Sequence, residues 1–366
     1  MDRAVRTWIE ETNEASVDNA EALRSFKLTY TIYGCMLLLP ATSFDALKVK
    51  GGALQHDPGF VRFHELICKH LKVTHIAMTK PIPALRGEES TKNIIRSPVN
   101  FTPLYGNFGP ETASSPPTAA DFDAAFWVTA KQNGIYQTWA PRWTMFSRGN
   151  ISEKARLLSL ASVTEAVEQG KADGKGCSAV DLYSGIGYFA FSYLKADTEK
   201  VLCWDLNLWS IEGLKRGAKA NKWPVASSSD CDPIEHMARA GARLLVFNES
   251  NEHALHRIKH IRNLIPPIRH VNCGLLPTSR GSWQTVFQIM DAELGGWVHV
   301  HENFAVSEIG QKSEEVRRAF QQMMVSEGRT GTIKVETVNR LKSYAPGVMH
   351  CVIDLHIPAN LQTACS

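Results

Sequence analysis

The run Asp181-Leu-Tyr-Ser-Gly185-Ile-Gly187-Tyr-Phe189 constrains the fold most, because it turns from an apolar strand into a helix around two glycines. An acid at the strand end, a tight glycine turn and an apolar helix start make the shape of a dinucleotide-type loop. The glycines let backbone approach a ligand, and the carboxylate suits an amino group. The third glycine of the dinucleotide fingerprint is missing, so the run alone fits a nucleotide seat or a purely structural turn. About 20 residues on, a second strand ends at Cys203-Trp204-Asp205, where sheets of this kind set an acid against ribose hydroxyls. Asp205 or Asn207 is equally placed to cap the next helix. A third strand ends in Asn248-Glu249-Ser250-Asn251, an edge for an adenine or another helix cap.

The chain around this motif alternates. Residues 200–205, 243–248, 271–276 and 296–301 read as strands, and 211–221, 253–261 and 313–324 as helices. A final strand pair falls near 331–339 and 350–356. That order predicts a doubly wound α/β sheet over residues 126–366. Residues 1–110 carry no nucleotide motif; helix-like stretches at 20–26 and 59–71 and a strand-like run at 29–38 predict a smaller α+β accessory domain. Gly106, Gly109, Pro110 and the Ser-Ser-Pro-Pro at 114–117 make 111–125 a linker or surface insertion.

With 366 residues, 44% of them apolar and 21% charged, the chain has enough to bury for two compact units and does not read as disordered. The apolar run at 33–40 is far short of the roughly 20 residues a membrane helix needs, and no basic leader precedes it. A cytoplasmic protein without membrane contact is expected. The 8 cysteines form no C-x-x-C pair, so reduced thiols and no metal are expected. A net charge of +3 demonstrates no nucleic-acid partner, and local basic clusters (Arg142 to Arg156, Lys215 to Lys222, Arg257 to Arg269) read equally as solvated helix faces. No obligate protein partner is evident.

Five stretches in all narrow the reading. They are residues 133–156 (NGIYQTWAPRWTMFSRGNISEKAR), the glycine loop itself, Asn272-Cys-Gly-Leu-Leu-Pro277 with Trp283, residues 295–303 (GGWVHVHEN) and residues 338–346 (VNRLKSYAP). In this order they resemble the tRNA wybutosine-synthesizing protein 2 family, the aminocarboxypropyl transferases of wybutosine synthesis, particularly the fungal members. With the weaker matches at 96–98 and 104–106, the resemblance covers roughly residues 94–356. The related tRNA guanine-N1 methyltransferases usually carry proline after the second loop glycine and a proline-rich acidic motif after the fourth strand. Tyr188 and Asn272 to Pro277 stand at those places.

The resemblance implies a Rossmann-type class I fold that takes S-adenosyl-L-methionine as group donor. It implies transfer of the 3-amino-3-carboxypropyl group to the tricyclic 4-demethylwyosine base beside the anticodon of tRNA(Phe), releasing methylthioadenosine. Choice of group is then a matter of positioning. Ser147 and Lys154 are expected near the amino acid end of the cofactor, with Asp181, Gly185, Gly187 and Tyr188 at its methionine part. Asp205, where the family usually has glutamate, is expected on the ribose, and Glu249, Ser250 and Asn251 near the adenine. Asn272, Pro277 and Tyr188 are the acceptor-side expectation, Arg142, Arg148 and Arg156 the RNA contacts. Trp139, Trp143 and Phe146 either stack on bases or pack a core. His299 and His301 are either satisfied core residues or substrate contacts. Methylation of tRNA guanine, a catalytically silent RNA-binding paralogue and a small-molecule acceptor remain the competing readings.

Overall fold

The computed structural model describes residues 1–12, 29–40, 58–79, 85–86, 91–92, 98, 100–228, 234–239 and 241–360. The chain divides into two compact units, residues 1–130 with 138–146, and residues 131–137 with 147–366.

In the first unit, β1 (Thr31–Tyr33), β2 (Met36–Pro40), β3 (His75–Thr79) and β6 (Phe101–Tyr105) form a sheet in the order β1-β2-β3-β6. A two-residue ladder joins β4 (Leu85–Arg86) to β5 (Thr91–Lys92). Helices α1 (Asp2–Thr12) and α2 (Pro58–Leu71) supply Ala4, Val5, Phe63, Leu66 and Ile67 to a core with Leu37, Leu39 and Ile76. The run expected as one strand at 29–38 is a hairpin. Gly34 bends it at φ +52°, where an added Cβ would sit 2.6 Å from the Thr129 carbonyl oxygen. The helix expected at 20–26 lies outside the described residues. The stretch expected as a linker belongs to the first unit. Phe108 packs on Phe101, His75 and Phe126 at 5.0–5.2 Å between ring centroids. Residues 119–124 form α3 (Ala119–Ala124), started by a capping box of Thr118 and Asp121. Glycine and proline marked turns here, not a domain boundary.

The second unit holds an eight-stranded sheet in the order β11-β12-β10-β9-β13-β14-β16-β15. Its strands are β9 (Ser178–Asp181), β10 (Lys200–Trp204), β11 (Val225–Ser227), β12 (Leu244–Phe247), β13 (Ile268–Cys273), β14 (Gly296–Ala305), β15 (Lys334–Ala345) and β16 (Val348–Ile357). The first six in that order run parallel, β16 runs antiparallel to them, and β15 runs antiparallel to β16. Before them come α4 (Ile151–Leu157) and α5 (Ala161–Ala172), and between them α6 (Ala190–Lys195), α7 (Leu208–Ala220), α8 (Ile234–Arg239), α9 (Ala254–Ile261), α10 (Trp283–Ile289) and α11 (Ile309–Ser326). Helices α5, α6 and α7 bury one sheet face, and α9, α10 and α11 the other. Buried on both faces, the parallel strands read as near-continuous apolar runs, which is why the sequence located them. The hairpin of β7 (Val128–Gln132) and β8 (Ile135–Trp139) contributes residues to both units. Among the described residues, no helix is long and apolar enough to cross a membrane.

Close approach of β14 to β13 requires Gly296, where a Cβ would meet the Arg269 carbonyl oxygen at 2.2 Å. Backbone cannot yield as a side-chain tip can. Gly296→Ala should therefore cost about 1–3 kcal/mol of stability, read as a lower denaturant midpoint at unchanged slope.

Candidate active site

Strand β9 pairs with β10 on one side and β13 on the other, so the order of the sheet reverses there. Ligands of such sheets bind outside the carboxyl ends of the strands at that point. One row of residues crosses four strands: Asp181 is level with Asn272, Asn272 with His299, and His299 with Asp354. All four are buried.

The two ends of the row differ. At the β16 end every charge is bonded. Asp354 accepts from His299 Nδ1 at 2.7 Å and from Arg156 at 2.5 and 3.1 Å, and His299 Nε2 shares a proton with His270 Nδ1 at 3.1 Å. Arg156 also forks onto Glu153 at 2.6 and 2.9 Å, and Asn339 donates to Glu153 at 2.6 Å. Burial alone would raise the Asp354 carboxyl, but His299 and Arg156 outweigh it and hold it at about 2. At the β9 end, Asp181 Oδ1 accepts from Asn272 Nδ2 at 3.1 Å and from the Tyr183 amide at 3.3 Å. Asp181 Oδ2 and Asn272 Oδ1 have no hydrogen-bond partner among the described residues; the Ala190 amide is near enough to favour the Asp181 anion but closes no bond. Burial pushes the Asp181 carboxyl up to about 7, against the Asn272 bond. Leaving such groups unpartnered costs about 1–3 kcal/mol each, a cost that a bound cation with several donors removes.

A basic cluster gathers around Tyr188 of the glycine loop. Lys154 Nζ donates to Gln132 and Gln137 at 2.5 and 2.8 Å and stands 5.7 Å from the Tyr188 ring centre. Tyr188 Oη accepts from the Ser147 amide at 3.2 Å, and Lys342 reaches the Ser147 hydroxyl at 3.4 Å. Burial and then Lys342 lower the Lys154 ammonium to about 7, so an anion placed between them would be held by both. Lys342 belongs to a matched stretch in which no single residue stood out. In the loop, Gly185 (φ +53°) and Gly187 (φ +86°) have no room for a Cβ, which would meet the rings of Tyr188 at 2.9 Å and Phe191 at 2.7 Å.

Other expected site residues have structural bonds. Asp205 accepts from the amides of Gly185 and Asn207, each at 2.8 Å, and burial pushes it up to about 6; the helix cap falls to Asn207, which accepts from Trp209 N at 3.0 Å. Arg257 and the Trp204 indole engage Glu249, Ser250 caps the turn behind it, and Asn251 donates to the Leu182 carbonyl. Pro277 accepts from the Asn303 amide at 3.3 Å. Of the expected RNA contacts, Arg156 is turned inward onto two carboxylates. Arg142 belongs to the first unit, 3.8 Å from Glu111, and Arg148 lies in a short 3₁₀ turn. Trp139 is buried and stacked on Phe146 at 4.3 Å, with Tyr33 against both, which is the core-packing alternative. His299 takes the satisfied core role, whereas His301 keeps one bare ring nitrogen.

Three buried histidines are held neutral. Burial lowers His301 and His350 to about 3 and His270 well below its ordinary value. Such groups contribute full stability above the unfolded value near 6.5, and the contribution is lost as pH falls toward the folded value. The raised carboxyls of Asp181 and Asp205 act in the opposite direction, releasing protons on unfolding. Three histidines against two carboxyls leave a net uptake of about one proton per unfolding event near pH 5 and a shallow decline in stability from about pH 6.5 downward. Chemical denaturation across pH 4–8 measures both, and a flat profile contradicts the assignment.

No family model matches the chain. A curated Schizosaccharomyces pombe relative, tRNA wybutosine-synthesizing protein 2, is 38% identical over 80% of this chain and 63% of its own length. The Saccharomyces cerevisiae protein of the same name is 32% identical over 78% of this chain and 60% of its own length. The alignments thus span under two thirds of either relative. Among solved structures, Pyrococcus horikoshii TYW2 in complex with MeSAdo superposes with a TM-score of 0.61 over 98% of this chain and 99% of that one, at 16% identity. The complex of aTrm5 and tRNALeu superposes with a TM-score of 0.53 over 97% of this chain and 78% of that one, also at 16%. Identity that low establishes the fold, a Rossmann-type class I sheet. By sequence, the chain belongs to the tRNA wybutosine-synthesizing protein 2 family.

Proposed function

We propose that the chain transfers the 3-amino-3-carboxypropyl group of S-adenosylmethionine to the tricyclic 4-demethylwyosine base of tRNA(Phe). The observation that carries the reading is the pair of unpartnered buried oxygens, Asp181 Oδ2 and Asn272 Oδ1, at the switch point of the sheet, together with a basic cluster around Tyr188 of the loop that leaves β9. An amino acid arm carries an ammonium and a carboxylate at one carbon. Asp181 and Asn272 are acceptors for the ammonium, and Lys154, Lys342 and Ser147 suit the carboxylate, so these residues fit the group. Asp205 at the end of β10 suits the ribose, and the backbone after β12, at 249–251, the adenine edge. The bound sulfonium supplies an already activated leaving group. The residues of the chain bind, orient and exclude water rather than act covalently. This moves Asn272 from the acceptor side toward the cofactor side.

A methyltransferase reading has in its favour the superposition on Trm5 structures. One experiment separates the two. Offer tRNA at the tricyclic stage with cofactor labelled in the carboxyl carbon or in the methyl carbon. Carboxyl label in the RNA is expected, and incorporation of methyl label alone overturns the proposal.

Asp181→Asn keeps the shape and removes the charge. It should raise the calorimetric Kd for S-adenosylmethionine about 10- to 100-fold, the worth of a buried charge-assisted hydrogen bond. With the free carboxyl near 7, binding to the wild type must expel a proton below that value. Its Kd should rise up to about tenfold per unit as pH falls below 7, and the variant should lose that slope.

A further inference from the structure

Beyond the Asp181–Asn272 row, a second group of buried polar atoms has no hydrogen-bond partner among the described residues: His301 Nε2, His350 Nδ1 and both side-chain amide atoms of Asn303. They form one patch. His301 Nδ1 and His350 Nε2 share a hydrogen bond of 3.0 Å, and Asn303 stands opposite His350 in the β14–β16 register. His301 is two residues and Asn303 four beyond His299, itself level with Asn272 and Asp181. At about 3.3 Å per residue and a period of two, the patch begins roughly 7 Å further toward the carboxyl edge, on the same sheet face. Its flanks belong to the proposed cofactor seat. Lys342, which reaches Ser147, is opposite His350, and the Phe189 ring lies 4.8 Å from the His301 ring. The loop after β13 closes it, because the Pro277 carbonyl accepts from the backbone N–H of Asn303 and Glu302 holds Thr278 and Ser279.

Hydrogen-bond character decides what fits. Two neutral imidazoles carry two N–H groups, and one closes the shared bond. Whichever ring donates it, the two outward nitrogens are one donor and one acceptor. The Asn303 amide adds a donor and an acceptor of its own. A phosphate or carboxylate calls for donors only, and an ammonium for acceptors only. A neutral heterocycle with a lactam-type edge presents both kinds.

We infer that Asn303 and the His301–His350 pair form the seat of the acceptor, a neutral, planar, purine-like ring read along an edge of mixed donors and acceptors. The inference rests on the transfer reading above and places acceptor recognition in β14 and β16.

The test uses the full chain with Asn303→Asp, which keeps the shape but replaces a donor by a charged acceptor. Asn303→Ser serves if the aspartate unfolds, and His350→Gln probes the pair. Calorimetry should give a Kd for S-adenosylmethionine within about twofold of wild type. Filter binding should show affinity for tRNA bearing the tricyclic base falling about tenfold or more, and its preference over tRNA with plain guanosine there collapsing. A preference that survives with cofactor binding intact overturns the seat. Parallel loss of cofactor and RNA binding does so too, since it marks the patch as structural or as part of the cofactor seat. A wild-type chain that binds the cofactor yet transfers no carboxyl label sinks the transfer reading, and the seat with it.

Discussion

The reversal of strand order at β9 governs the chemistry of the whole carboxyl edge. The chain leaving β9 turns into α6 on one face and the chain leaving β13 turns into α10 on the other, so their loops part. That parting brings Asp181 beside Asn272, with Asp205 one strand away. A row of polar side chains across a buried sheet is costly unless each member is bonded, and removing one partner of a buried ion pair costs more than the pair gains. Here Glu153, Arg156, Asp354, His299 and His270 bond one another in sequence. That half of the row can therefore serve as rigid support. Within the row, the unpartnered side-chain atoms lie in the half near β9, and the outer patch adds a second group, which separates support from ligand contact.

Much of the support was illegible in the sequence because it depends on register across long separations. Asp354 meets Arg156 and Asn339 meets Glu153 only because β15 and β16 insert beside β14. No local pattern records such pairings. The charge of Arg156 was legible but not its direction, so a buried ion-pair partner read as part of a basic surface. Asp181 and the two glycines were legible because their constraint is local: an acid at a strand end and a turn whose backbone leaves no room for a Cβ. The parallel strands were legible for a different reason, their burial on both faces.

The same contrast accounts for the misplaced boundary. Gly106 reads as a linker glycine, yet it is required by packing, since a Cβ there would sit 2.7 Å from His75. Turn chemistry reports the path of the backbone and is silent on which core the flanking side chains enter. Phe108, Phe126 and Trp139 enter the first unit, and only the contacts of those rings show it.

On the proposed reading, holding both ends of an amino acid arm has a consequence for the choice of transferred group. Three carbons flank a sulfonium sulfur, and the protein selects among them by position, not by added chemistry. A single contact to the arm leaves rotation about its bonds. An acceptor pair at one end and a lysine pair at the other remove that freedom, so the orientation of the arm is set before any acceptor arrives. The outer patch then needs only to present one carbon of a flat, neutral ring to a fixed target. Recognition of the acceptor and selection of the group are thus assigned to different rows of the same sheet face, and substitutions in one row should leave the function of the other standing.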